Sequence, residues 1–409
     1  MRFNLRLIVL ALFGLVFVFV TANGLLWANL NFVHRIPGGS DFYVLWKGGE
    51  NFLMHGQIPY QDLSKQARIF AYGQGAAKSG PYVQRLSVPF YLFILLSPLG
   101  LIRDVSLARA VWMIFLEIGL GELVWLTYQL AHWRLGRFRL MLLVLFGIAW
   151  APALLTVFSG SLIIFQALLL FGGLRALEFE ADELAGAMIA FACFNFELVG
   201  PLLVLIFLWV GSMKRWRVVA GFVMVSAVLI IISLIFNYNW LLPFAVALLA
   251  NFRENANPST YSLLGSWLPG VGLRLAQGLT LLVALMLIAE WRNAREKDFR
   301  WLLWTVSLTV AATPLLGLPV APAALAISLP ALLFAVSIME QRWGVFGRWS
   351  AVSLLVLVFS GLWLAARADV GSVFTLFFPI LLIVLLYWVR WWASRPTRLW
   401  VDTLSEGEA

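Results

Sequence analysis

Between Phe32 and Val83 the chain gathers His34, Arg35, Asp41, Lys47, Glu50, His55, Asp62, Lys65 and Arg68. Before that stretch, Leu7 to Val33 holds no charged residue and is long enough to cross a bilayer once, and apolar residues resume after it. Acids and bases collected beside apolar runs suit chemistry at a membrane surface. Asp41 is the first candidate. It lies in Pro37-Gly38-Gly39-Ser40-Asp41-Phe42-Tyr43, a turn leading into a helix in which Ser40 or Asp41 serves as N-cap. Phe42, Leu45, Trp46, Gly49 and Leu53 then recur at helical spacing, opposite Tyr43, Lys47, Glu50 and Asn51, with Gly56 as the stop. This predicts an amphipathic helix lying in the interface with its apolar stripe in lipid. Asp41 at its positive end would be ionised and could accept a proton from an attacking hydroxyl. The plainer reading of Asp41 as a cap alone stays open, as does a surface ion pair between Lys47 and Glu50.

Further along, Gln57 to Asp62 makes a second turn and a short helix is expected over Ser64–Tyr72. Arg85 stands where the chain re-enters the membrane. Its planar fork suits a lipid phosphate, or it serves only as an interfacial anchor. His34 and Arg35 form a second phosphate candidate. A later polar segment, Asn251 to Ser262, offers Asn, Ser and Tyr side chains suited to sugar hydroxyls and ring faces. Three scattered histidines (His34, His55, His132) and the single Cys193 give no metal-ligand spacing. A divalent cation between Asp41 and Asp62 stays open. Glu117, Glu122 and Glu197 lie within apolar runs, where an ionisable group is costly and suggests function; ion pairing is the expected explanation for at least two of them.

The elements that must position these residues are membrane helices. Hydrophobic residues are 62% and charged residues 12%, about half the charge of a soluble chain. Continuous apolar runs of ~20 residues exclude a β-barrel and predict an all-α transmembrane bundle. The net charge of +9 comes from short clusters between spans, such as Lys214 to Arg217, Arg292 to Arg300, Arg342 to Arg348 and Arg390 to Arg398. That is the positive-inside pattern and not a nucleic-acid footprint. Arg2 and Arg6 precede an apolar run too long for a signal peptide, so a retained first helix with a cytoplasmic N-terminus is expected.

Spans are predicted over 7–30, 84–102, 107–131, 140–158, 161–177, 184–211, 217–236, 240–250 (a half-helix or surface helix), 271–290, 300–318, 321–339, 350–366 and 372–392. Cytoplasmic termini require an even number, about twelve. The chain reads as one integral-membrane domain, 1–409, with outer loops over 32–83 and 237–270. One conflict is internal to this scheme: it places Arg134, Arg137 and Arg139 outside. Either 84–102, with Pro89 and Pro98, is re-entrant, or 184–211 breaks near Phe196–Pro201.

Asp41-Phe42-Tyr43, Gly56-x-x-Pro59-Tyr60, Tyr82 with Pro89, and Ser97-Pro98-Leu99 resemble glycosyltransferase family 87, a group of polytopic transferases of GT-C type. Asn257-x-Ser259, Thr313-Pro314 and Pro330 extend the resemblance along most of the chain. It implies a GT-C-like fold in the cell membrane, with inverting transfer of mannose or another hexose or pentose. The implied donor is a polyprenyl-phosphate sugar and the acceptor a glycolipid or glycan outside the cell. It also implies Asp41 as catalytic base. Beside it, the residues' own chemistry and position suggest Arg85, or His34 and Arg35, at the donor phosphate and Tyr43, Lys47, Glu50, Tyr60, Tyr82, Asn257 and Ser259 at sugar or acceptor, without a required cofactor. The chain departs from the family pattern at Gly160-Ser161-Leu162-Ile163, around Asn195-Phe196-Glu197, and in the apolar loop Leu315 to Ala323. A transporter or lipid flippase, or an inactive scaffold of the same family, is the competing expectation. An undetected internal repeat and the gathering of polar residues in one loop count against the transporter.

Overall fold

The computed structural model describes residues 5–76, 81–295, 297–368 and 371–393, which are helical with no strand. Arg2, Arg395 and Arg398, which entered the expected orientation of the termini, lie outside the described residues. Seven helices among the described residues are long and apolar enough to cross a membrane, or eight if one bent pair is a single span. The chain divides into two compact units.

The first unit comprises Met1–Ile118, Val157–Ser161 and Trp240–Phe252. Helix α1 (Leu5–Arg35) opens it. At 1.5 Å per residue it is about 46 Å long, more than the ~30 Å apolar thickness of a bilayer. Phe13, Phe19 and Trp27 on it are exposed, as lipid-facing side chains are. Helix α2 (Ser40–His55) follows and stops at Gly56, as the spacing predicts. Gly56 takes φ 63°; its N–H donates to the Phe52 carbonyl at 3.1 Å, and that of Gln57 to Asn51 at 3.1 Å. Helix α3 (Ser64–Tyr72) has the expected limits. The Asp62 carboxylate accepts from the Ser64 N–H at 3.1 Å and hydroxyl at 2.6 Å, fixing its start.

The apolar stripe of α2 is buried, but in protein and not in lipid. Val44, Leu45, Leu63, Val83, Phe90 and Trp240 belong to one core. Leu53, expected on the same stripe, is exposed. The covering segment also corrects a predicted span. In place of one helix over 84–102, the chain forms α4 (Phe90–Leu96) and a 3-10 turn (Ser97–Leu101). Pro89 and Pro98 lack the N–H a continuous helix needs. Seven residues reach about 10 Å, so α4 is too short to cross. Gly49 faces the Ser97 backbone and Gly100 the Glu50 backbone, so α2 and the turn meet at main-chain distance. Helix α5 (Val105–Leu130) then begins.

The second unit comprises Gly119–Thr156, Leu162–Asn239 and Arg253–Ala409. Helices α6 (Arg137–Ala149) and α7 (Ala151–Ser159) meet at a 55° bend. Helices α8 (Ile163–Glu178), α9 (Asp182–Ala192), α10 (Phe196–Ser212) and α11 (Trp216–Phe236) follow. The predicted run 184–211 is broken at Cys193–Asn195, where Asn195 takes φ 50°. The break falls just before the expected stretch because Pro201 is tolerated in α10 near its start, where it forfeits one backbone bond. Gly186 and Gly221 let α9 and α11 touch backbone to backbone, the small-residue packing favoured in membranes. Arg215 pairs with Asp182 across the same contact.

Helix α12 (Leu241–Glu254), all but its last two residues in the first unit, is longer than the predicted half-helix, and in the second unit α13 (Thr260–Trp267) carries a capping box from Ser259 and Ser262. Helices α14 (Gly272–Asn293), α15 (Phe299–Ala312), α16 (Leu329–Arg367) and α17 (Gly371–Ala393) complete the unit. From Leu302 to Ala312 every residue of α15 is buried, which puts it at the unit's centre. The predicted spans 321–339 and 350–366 are joined by helical residues and separated only by a break at Gly344 (φ 56°, ψ −124°). The Glu290 carboxylate of α14 accepts from the Tyr387 hydroxyl at 3.1 Å and Arg390 at 2.7 Å, tying α14 to α17.

Candidate active site

Asp41 occupies the first turn of α2, but it is not the cap. Gly39 holds that position at φ 81°, with no side-chain hydrogen bond. Gly38 before it takes φ 141°, so the turn uses two backbone conformations that favour glycine. The turn sits directly on the guanidinium of Arg109, where a Cβ on Gly38 or Gly39 would collide. Arg109 is 2% exposed, and its two terminal nitrogens donate to the carbonyls of Ile36 (3.4 Å) and Phe158 (3.1 Å). One arginine from the start of α5 thus bridges the end of α1 and the end of α7.

That bridge brings Phe158-Ser159-Gly160 against α2. Gly160, at φ 78°, packs on Phe42, leaving no room for a side chain. Its carbonyl accepts from the Trp112 indole at 2.9 Å, and the Trp112 and Phe42 rings stack at 6.3 Å. Ser159 hydrogen-bonds the Asp41 carboxyl, and the Ser40 hydroxyl reaches Oδ1 at 3.4 Å. The residue keeps some surface, yet its carboxyl lies deep among protein atoms. Burial pushes its pKa up from 3.8 to about 6, against the smaller lowering by the Ser159 and Ser40 hydrogen bonds. A carboxylate so placed is ionised at neutral pH and markedly more basic than an ordinary aspartate.

The other expected residues of this unit are also accounted for. Tyr43 stacks on Phe70 at 4.7 Å, and burial raises its phenol pKa. Lys47 and Glu50 form the ion pair considered as the plainer reading, at 2.5 Å. The Tyr60 hydroxyl donates to the Val88 carbonyl at 3.0 Å and is raised by burial. Tyr82 donates to the Asn251 side chain at 3.3 Å. Asn251, 3% exposed, also accepts from the Arg85 N–H (2.9 Å) and donates to its carbonyl (3.0 Å). The Arg85 guanidinium lies 3.2 Å from Asp62, so a phosphate there would compete with a carboxylate. Burial opposes ionisation of Asp62, but the Ser64 hydroxyl and N–H, then Arg85 and Arg68, carry its pKa below the ordinary range. His34 and Arg35 are exposed at the end of α1.

Asn257 and Ser259 belong to the second unit. The Asn257 N–H donates to Asn255 at 3.1 Å, and Ser259 caps α13. Asn255 donates to Glu197 at 2.8 Å, and in the first unit Asn29 donates to Glu117 at 3.3 Å. The buried Glu197 and the half-buried Glu117 are therefore each met by an amide where ion pairing was expected; Glu122 is exposed. Among the described residues, no group of three or more His, Cys, Asp or Glu is arranged to hold a metal.

Two residues of the site escaped sequence reasoning. Ser159 sat beside Gly160-Ser161, noted only as a departure from a family pattern. Arg109 sat unremarked within the predicted span 107–131, although an arginine one turn inside an apolar run is itself a signal. Comparison with protein-family models, curated proteins and solved structures returns no match.

Proposed function

We propose that the chain is an integral-membrane glycosyltransferase. It moves a monosaccharide, mannose or another hexose or pentose, from a polyprenyl-phosphate donor to a glycolipid or glycan acceptor. The observation that carries this reading is the enclosed Asp41 carboxyl, whose pKa of about 6 is near that of an efficient general base at neutral pH. Asp41 takes the proton of the acceptor hydroxyl. The acceptor oxygen attacks the anomeric carbon opposite the phosphate, forming the new glycosidic bond with inversion. The old C–O bond breaks, and its electron pair leaves with the phosphate. Arg35 and His34, or Arg85, stabilise that charge.

A twelve-crossing GT-C-like arrangement is the membrane topology that suits this reading. It requires α6 and α7 to form one bent span, α16 to cross twice about Gly344, and α8, α9 and α10, none of which reaches the ~30 Å apolar thickness as a helix, to cross with the aid of their flanking turns or a locally thinned bilayer. Both termini are then cytoplasmic. Gly38–Asp41 and Ser159 share the outer side, and Arg134, Arg137 and Arg139 become cytoplasmic, which removes the orientation conflict.

The test is release of polyprenyl phosphate from a panel of polyprenyl-phosphate sugars, with a native lipid extract as acceptor. Wild type should turn over and Asp41→Asn should not, with folding and donor binding intact. Equal turnover would dismiss Asp41. No turnover by well-folded wild type with any donor would move the assignment to the transporter or scaffold.

A further inference from the structure

A second site lies wholly within the second unit. It is a cavity of about 350 Å³ between α6 and the C-terminal arm of α16, walled by Leu142, Phe146, Val352 and Phe359. That volume is within the range of small-molecule sites. One end is charged. There the Glu340 carboxylate pairs with Arg139, lies 3.5 Å from Arg348, and accepts from the Trp133 indole at 3.2 Å. The break at Gly344 turns the chain so that Arg348 comes back to Glu340, eight residues before it. Two guanidiniums share one carboxylate, so the mouth carries an excess positive charge, and Arg348 is half exposed.

From Arg139 to Phe146 along α6 is about 10 Å, and from Arg348 to Phe359 along α16 about 16 Å, at 1.5 Å per residue. Both helices run from the arginine end to the pair Phe146 and Phe359, whose ring centroids are 6.2 Å apart. The cavity is thus an apolar slot with a cationic mouth, complementary to a chain that ends in a phosphate. We propose that it binds one anionic phospholipid, its phosphate on Arg348 and Arg139 and one acyl chain between α6 and α16. Arginine forks match phosphate oxygens, and basic pockets between membrane helices select anionic headgroups. The site is independent of the chemistry at Asp41.

The experiment uses the full chain in mild detergent, with dioleoylphosphatidylglycerol and dioleoylphosphatidylcholine titrated separately and retained lipid counted by native mass spectrometry. Wild type should retain one phosphatidylglycerol well above phosphatidylcholine. Arg348→Gln, which leaves Glu340 with Arg139 and Trp133, should weaken phosphatidylglycerol about tenfold and leave phosphatidylcholine unchanged. Val352→Trp, which fills the slot, should abolish retention while the melting temperature stays within a few degrees of wild type. Equal retention of the two lipids by wild type would overturn the proposal. So would phosphatidylglycerol binding that neither variant alters, or a second copy of the chain taking the place of lipid.

Discussion

Replacing Asp41 with asparagine should make the protein more stable at neutral pH while removing the proposed transferase activity. Asparagine keeps the shape and an acceptor oxygen for Ser40 and Ser159, but it never has to hold a charge among buried atoms. In wild type the folded carboxyl keeps its proton up to about pH 6, whereas the unfolded chain gives it up near 3.8. Between those values the folded state binds more protons. Its stability is therefore full below the lower value, falls as pH rises through the window, and is flat above it. A shift of about two units corresponds to about 3 kcal/mol at 1.36 kcal/mol per unit, an upper bound because the residue keeps some surface. Melting temperatures of purified wild type and Asp41→Asn, taken in detergent from about pH 4 to about pH 8, should coincide at the acid end. The variant should then lead by a few degrees above pH 6. On the proposed function, wild-type transfer should rise with a midpoint near pH 6, where the folded carboxyl ionises. Parallel stability curves for the two proteins would refute the argument that burial of Asp41 sets its proton affinity.

Arg109→Gln should cost about 2–4 kcal/mol by orphaning the carbonyls of Ile36 and Phe158, and hydrogen exchange at Gly38–Phe42 should accelerate. Arg109→Lys should recover only part of this, because an ammonium lacks the planar fork. Gly39→Ala should cost about 1–3 kcal/mol in a melting experiment, since it combines φ 81° with a collision on Arg109. Gly56→Ala, at φ 63° with open space around it, should lose only about 1 kcal/mol. Asn251→Ala should cost about 2–3 kcal/mol and speed proteolysis near Tyr82–Leu86, because the Arg85 N–H and carbonyl lose their partner.

Local grammar was legible in the sequence. Gly56 ends α2 and Asp62 starts α3 because these features are decided within a few residues, by left-handed glycine and by a carboxylate two positions upstream. The apolar face of α2 was legible too, but not what covers it. Lipid and the Phe90–Leu101 segment look alike from the helix's own spacing, and the difference lies in Gly49 meeting Ser97, forty-eight residues away. The same distance limit hid the surroundings of Asp41. The bridge from Arg109 joins carbonyls 73 residues before it and 49 after it, and no short motif records such a contact. The break at Cys193–Asn195 was half legible. Proline marked the neighbourhood, while the turn itself depends on Asn195, whose polar side chain tolerates φ 50°.

The first-loop core also has a bearing on how the protein is made. Its segments between Val44 and Phe93 are closed by Trp240, which stacks on Phe90 at 6.2 Å, and by Asn251, which clasps Arg85 from 166 residues later. At ribosomal rates of about 5–20 residues per second, that interval lasts roughly ten to thirty seconds. During it the nascent loop already carries Asp41 but lacks its clasp. Biogenesis must shelter Phe90, Tyr82 and their neighbours through that wait, and a chain terminated before Trp240 would be left permanently at this stage, a natural target for membrane quality control.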